Sequence, residues 1–444
     1  MAQAFTDRWG SPVFGGRQHA VDLLDEAVEQ LVSLSGDPSA YAEEAAARDP
    51  QLVLARVLQA YLALYASSAS GLQRARALVG GLDPRNLAAG EREVLHVLAV
   101  QSWADGEWER AASFLERALL HESRDLLALK VAQDLSFFIG NQLNLRDVVE
   151  RVFAAWPRDR PGYGFVCGMY AFGLEENGQY EAAEEHARRA LDANPRDVWA
   201  VHAQAHVFEM RGAQRLGVAF LDRTAQDWSS SYFATHNWWH RALYHLELRE
   251  TDEALALYDG PIRGTRSNEW LDLDDAASLL WRLHLFGLDV GDRARTLLED
   301  VEVLLGEPVA VFNDWHAVMS AGLAGAPEVC ERLILVNRSA HDGTNRRAID
   351  AAGLQLLEGF AAFASGDNDR ALRRLVDLQP KAHVVGGSHA QRDVIDLTLI
   401  AAAARSGNVR LAEALLATRV ERKPSAMAAG LELIRTNSAA VPPA

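Results

Sequence analysis

Lysine is almost missing from this chain: of its 44 basic residues, only Lys130, Lys381 and Lys423 are lysines. A basic surplus is missing too. The net charge of -17 argues against nucleic acid or an anionic membrane surface as partner, since both require clustered cations to displace counterions. Cysteine occurs only as Cys167 and Cys330. They are far apart with no CxxC spacing, which speaks against a disulfide framework or a thiolate zinc site and fits a reducing compartment. No run of about 18 uncharged apolar residues occurs, so no membrane span is expected. The first residues, MAQAFTDRWG, lack the basic-then-apolar order of a secretory signal, and a cytoplasmic protein is expected. Proline (14) and glycine (32) are not enriched, which excludes a long flexible linker. Alternating β-branched runs are nearly absent, so strands are not expected.

What is present is Ala, Leu, Arg and Glu, all good helix formers. They are punctuated every few turns by Gly, Asn-Gly, Asp-Gly or Pro. The clearest unit runs from Gly164 to Asp197. It has Ala171 and Leu174 in a first helix, a turn at Glu176–Tyr180, then Ala183, Ala187 and Ala190 in a second helix, closed by Asn194-Pro195. A second unit, Arg92 to Asp125, places Ala99 before the turn Asp105-Gly106-Glu107-Trp108, and Ala111, Leu115 and Ala118 after it. Looser units follow at Gly140, Gly212, Ala254, Gly366–Ala371 and Gly407–Ala412. Small residues at these places let two antiparallel helices approach, and the repeat of about 34 residues is the tetratricopeptide pattern. The expected fold is all-α, a right-handed solenoid of helical hairpins with an enclosed polar pocket. The expected segments are degenerate hairpins or a cap over 1–90, core repeats over 91–260, divergent repeats over 261–436 and a frayed tail over 437–444.

Against this background the histidines stand out. His202, His206, His236, His240 and His245, five of the 14 in the chain, fall between Val201 and Glu247. His202, His206 and Glu209 are spaced four and then three, which puts them on one helix face. Lys130 and Asp134 take equivalent places in a preceding unit that starts at Leu126. His236, Asn237 and His240 lie on the next first helix. Two such i,i+4 histidine pairs can hold a metal with Glu209 or Asp134 as oxygen ligand, or supply a general base and its oriented partner. They can equally be hydrogen-bonded packing. HxxxH without the glutamate of the zinc-peptidase motif is weak evidence for zinc, so no cofactor is expected, and zinc or another divalent metal is the minor alternative.

Three more segments draw notice. In Phe312–His316, Asn313 and Asp314 read as a helix start in which Asp314 could be the cap. Gly386–Asp393 resembles an anion-binding helix N-terminus, with Gln391, Arg392 and Asp393 in its first turns. In Asn268–Asp275 the acids read as solvated charge before a helix, with a metal loop as the lesser reading. Of the pair Trp238-Trp239, core packing is the expected use.

Taken together, LLALKVAQD (126–134), VWAVHAQAHVFEM (198–210), HNWWHRALY (236–244), FNDWH (312–316) and GGSHAQRD (386–393) resemble the tetratricopeptide repeat protein 38 family over nearly the whole chain. The resemblance implies an all-helical repeat protein and a shared polar set, here Asp134, His202, His206, Glu209, His236, Asn237, His240, Asn313, Asp314, His316, Gln391, Arg392 and Asp393. It implies no particular activity.

Two functions are consistent with these residues. One is a scaffold binding a small polar or anionic molecule, or a peptide or protein, in a groove lined by Lys130, Asn237, Asn313, Asp314, His316, Gln391, Arg392 and Asp393. The other is an enzyme using His202, His206, His236 or His240 as acid and base, with Glu209 and Asp134 orienting them.

Overall fold

The computed structural model describes residues 4–15, 17–87 and 89–425. The expected tail over 437–444 lies outside them. A two-stranded antiparallel ribbon, β1 (Ala4–Thr6) with β2 (Pro12–Phe14), comes first. It is a small departure from an otherwise helical chain.

Helix pairs follow in succession: α1 (Gln18–Ser33) and α2 (Pro38–Arg48), α3 (Val53–Tyr65) and α4 (Ala69–Val79), α5 (Glu91–Ala104) and α6 (Trp108–His121), α7 (Leu126–Phe138) and α8 (Gln142–Phe153), α9 (Tyr163–Glu175) and α10 (Tyr180–Ala193), α11 (Val198–Met210) and α12 (Gln214–Trp228). The series continues with α13 (Ala234–Glu247) and α14 (Thr251–Leu257), α15 (Trp270–Leu285) and α16 (Arg293–Leu304), α17 (Val311–Leu323) and α18 (Pro327–Arg338). Next, α19 (Thr344–Ala348) runs through a π turn at Ile349–Gly353 into α20 (Leu354–Ala364), which pairs with α21 (Asn368–Leu375). The last pair is α22 (His389–Arg405) and α23 (Val409–Arg422). The fold is therefore an all-α repeat of helical hairpins. Among the described residues no helix is long and apolar enough to cross a membrane.

The sequence explains the hairpins locally. Ala183, Ala187 and Ala190 are fully buried where α10 meets α9. A Cβ on Gly173 would lie 2.5 Å from the Leu145 carbonyl, so only glycine permits that approach of α9 to α8. Gly178 turns the chain between α9 and α10 with φ +73. Asp125, Asp197 and Ser388 each cap the following helix, accepting from the backbone N–H three residues on. Within 1–90, expected to be degenerate, the described residues form the ribbon and two hairpins. The span 260–350 obscures its repeat because a π turn at Tyr258–Ile262 and the connection between Leu285 and Arg293 change the spacing.

The chain divides into two compact units, one of residues up to Gln204 with Thr224–Ala234, the other of Ala205–Arg223 with residues from Thr235 onward. In the N-terminal unit a buried polar chain ties the ribbon to the hairpins. Arg92 donates to both oxygens of Asp125 at 2.8 and 3.0 Å and to Asp7 at 2.9 Å. His96 meets Asp125 at 2.9 Å.

In the C-terminal unit α15 packs on both α17 and α22, so first helices distant in sequence share one core. Trp239, Trp281, Trp315, Phe360 and Phe363 are buried there. The two indole N–H groups that meet hydroxyls do so at 2.9 Å, Trp239 on Ser278 and Trp281 on Thr398. Trp239 is thus core, as expected, while Trp238 is only partly buried, its ring 5.8 Å from the Arg241 guanidinium.

Candidate functional site

The C-terminal unit gathers most of the singled-out residues. His206 on α11 and His236 and His240 on α13 are buried together, with ring centroids 4.5 Å apart for His206 and His240 and 4.9 Å for His236 and His240. On His236 and His240 one ring nitrogen faces a carboxylate. His236 Nδ1 sits 2.8 and 2.9 Å from the two oxygens of Asp275 on α15, and His240 Nδ1 sits 3.4 Å from Glu209 Oε2. Burial, followed by the neighbouring His206 and His236, drives the His240 imidazole well below its ordinary range, so it is neutral. An imidazole held at Nδ1 by a carboxylate presents Nε2 as base or metal ligand.

Glu209 links this group to a second one. Its other oxygen, Oε1, accepts from the Lys423 ammonium at 2.6 Å. Lys423 follows α23 directly, and its Nζ also lies 3.4 Å from Asp393 Oδ2 and 3.7 Å from Glu247 Oε1. Arg419 of α23 donates to both oxygens of Asp393 at 2.7 Å and to Glu247 at 2.8 Å. Ser425 donates to Glu247. Arg282 of α15 donates to the Ala390 carbonyl at 2.8 Å, with its guanidinium 5.4 Å above Trp239.

Burial alone would raise the Asp393 carboxyl, but Arg419 and Lys423 outweigh it and hold the group well below the usual range. Burial would lower Lys423, and Asp393, Glu209 and Glu247 outweigh that and raise it. Arg282 is pushed down by burial to about 10, against the pull of Asp393 and Glu209. The space among Glu209, Glu247, Asp393, Lys423 and the side chains of Leu243, Leu246, Phe286 and Leu397 is about 10 Å³, room for about one water. The pocket expected here is filled by the chain's own Lys423. A surface groove of about 330 Å³ in the N-terminal unit, lined by Ser39, Glu43, Gln59 and Arg74 among others, includes none of the expected residues.

A third buried group joins α15 to α17. His316 Nδ1 donates to the Phe312 carbonyl at 2.8 Å and lies 3.9 Å from Asp274 Oδ1. Asp314 accepts from Asn337 Nδ2 at 3.0 Å. Burial raises Asp314 to about 7 and, with Asp275 and Asp314 nearby, raises Asp274 well above its ordinary value. Burial lowers His316 to about 3. Asp314 is not the cap of α17: Asn345 takes that part, accepting from the Val311 N–H at 2.8 Å. Asn313 and Asn237 are buried, and neither side-chain polar atom of Asn237 meets a hydrogen-bond partner among the described residues.

Lys130, Asp134 and His202 belong to the N-terminal unit. Lys130 donates to Asp134 at 2.7 Å and lies 4.4 Å from the Trp199 ring centroid, and Tyr65 donates to Asp134 at 2.5 Å. His202 is enclosed by rings, with Trp199 at 4.9 Å, Phe233 at 5.2 Å and Phe172 at 5.3 Å. In this unit the expected ligand contact Lys130 is already paired.

The Gly386–Asp393 segment departs from the anion-site expectation. Ser388 and Gln391 form a capping box, each side chain satisfying the other's backbone N–H, which removes two donors an anion would need. Arg392 donates to the Gly386 and Gly387 carbonyls. Asp393 is the segment's one residue in the ion cluster. Asp274 and Asp275 correct another expectation, since both lie inside α15 and are buried rather than solvated.

Sequence reasoning missed Arg282, Glu247, Arg419 and Lys423. Two signals were available. Helix α15 is apolar on every side, so its charges had to be interior. Lys423 is one of three lysines in an arginine-rich chain.

No protein-family model matches the chain. Among solved structures it is similar to yeast Tom70, with a TM-score of 0.34 and 13% identity over 95% of each chain. It is similar also to the APC/C hetero-tetramer Cut9-Hcn1, with a TM-score of 0.31 and 12% identity over 94% of this chain and 90% of that one. The P58(IPK) TPR domain gives 0.21 and 13%, over 90% and 99%. The fold rests on the helix pairs themselves rather than on these likenesses.

Proposed function

We propose that this chain is a binding protein of the tetratricopeptide repeat protein 38 family, and that its C-terminal unit recognises a protein or peptide partner through a lysine side chain. The five polar motifs named above support the family. The seat of Lys423 carries the functional reading. Three carboxylates from three helices, Glu209, Glu247 and Asp393, converge on its ammonium. Leu243, Leu246, Phe286 and Leu397 line the same space, as the aliphatic stem of a lysine requires. Charge balance sets the class of ligand. Glu209, Glu247 and Asp393 are matched one for one by Arg282, Arg419 and Lys423, so a group that replaces Lys423 must bring a positive charge or leave a buried carboxylate unpaired. A cationic partner therefore fits better than the anionic molecule expected from the histidines and Arg392. In this reading Lys423 is a tethered stand-in, attached just beyond α23, that a partner's lysine displaces.

The test is calorimetric titration of a blocked lysine tripeptide, and its norleucine counterpart, into wild-type protein and Lys423→Ala, with folding checked by circular dichroism. The lysine peptide should bind Lys423→Ala at least about tenfold more tightly than wild type, a difference of about 1.4 kcal/mol, and the norleucine peptide should bind neither. Folded Lys423→Ala that ignores the lysine peptide would reduce the box to a structural anchor for α23.

A further inference from the structure

We propose that His206, His236 and His240 form a binding site for one divalent transition-metal ion of the zinc class. One ligand atom of each lies within 4.8 Å of the others. A tetrahedral zinc with Zn–N bonds near 2.0–2.1 Å wants its nitrogens about 3.3 Å apart. His236 and His240 come from one helix, a turn apart, and share a face. The Nδ1 of His236 is held by Asp275 and that of His240 by Glu209. This repeats the carboxylate–histidine arrangement that orients metal ligands and raises their basicity. The two carboxylates offset the charge of the ion. The donor set has imidazoles and no thiolate, because Cys330 contacts the Val318 carbonyl within α17, and imidazole donors suit zinc, nickel and copper rather than calcium or magnesium. The site concerns atoms that the lysine box does not use, Glu209 excepted, so either proposal can fail alone.

The test is titration of Zn²⁺ into chelator-treated full-length protein, followed by calorimetry and by histidine side-chain ¹⁵N spectra. The expected result is one ion per chain with Kd below about 1 µM and displacement of the His206, His236 and His240 nitrogen signals. Asp275→Asn should weaken binding about 10- to 100-fold, and His236→Ala at least as much. The spectra of wild-type protein stand whether or not a variant folds. If saturating Zn²⁺ moves none of these three histidines, or if binding is unchanged in Asp275→Asn, the site does not exist.

Discussion

Replacing Lys423 with methionine keeps most of the stem and removes the charge. In the wild-type cluster three carboxylates face three cations; in Lys423→Met the balance becomes minus one, with Glu209 losing a partner at 2.6 Å and Asp393 one at 3.4 Å. Removing one member of a buried ion pair costs about 3–5 kcal/mol, because the other charge is left without a partner in a poorly solvated place. That is a large fraction of the about 5–15 kcal/mol that holds a domain together. With a urea m-value of about 2–3 kcal/mol/M, the loss lowers the midpoint of the C-terminal unit by about 1–2.5 M. Adding Glu209→Gln restores neutrality, since two carboxylates then face two arginines. The double variant should recover about half of the loss or more, a coupling far from additive. The assay is urea unfolding followed by tryptophan fluorescence, to which the buried Trp239, Trp281 and Trp315 report for this unit. A midpoint for Lys423→Met within about 0.2 M of wild type, together with additive behaviour in the double variant, would refute the charge-balance reasoning.

Two further outcomes follow from the buried groups. Asp314, raised to about 7 from 3.8, gives its full stability below pH 3.8 and loses it as pH rises through about 7. Asp314→Asn should therefore be near neutral at pH 4 and stabilising at pH 8, by up to about 4 kcal/mol, read from thermal unfolding at both pH values. His316 runs the other way, lowered to about 3, so its contribution is lost as pH falls from 6.5 toward 3. Gly173→Ala should destabilise the N-terminal unit by about 1–3 kcal/mol, measured by the same melts, because its Cβ would sit 2.5 Å from the Leu145 carbonyl.

The hairpins were legible because their signals are local: Ala183, Ala187 and Ala190 on one face, a glycine turn at 178 and caps such as Asp125. The histidine cluster was legible in part, since i,i+4 spacing tells which residues share a face but not what packs opposite. Asp275 and Lys423, the partners that give the site its character, were not. Lys423 lies 214 residues from Glu209, and no local pattern encodes such a pairing. Asp274 and Asp275 were read as solvated because a run of acids before a helix usually is. The apolar surroundings of α15 on all sides were the contrary evidence, and they count only once the helix start at Trp270 is known. Asp314 looked like a cap by composition, yet the helix begins three residues earlier and Asn345, from another segment, serves it.

Lysine scarcity makes the central idea directly observable. With ¹³Cε-labelled lysine the wild-type protein gives three signals, from Lys130, Lys381 and Lys423, and Lys423→Arg assigns the third. The Lys423 signal should stand apart from a solvated ammonium in the free protein and move to the solvated position when the lysine tripeptide is added to saturation, but not with the norleucine peptide. A Lys423 signal already at the solvated position, or one that saturating lysine peptide leaves in place, would contradict it.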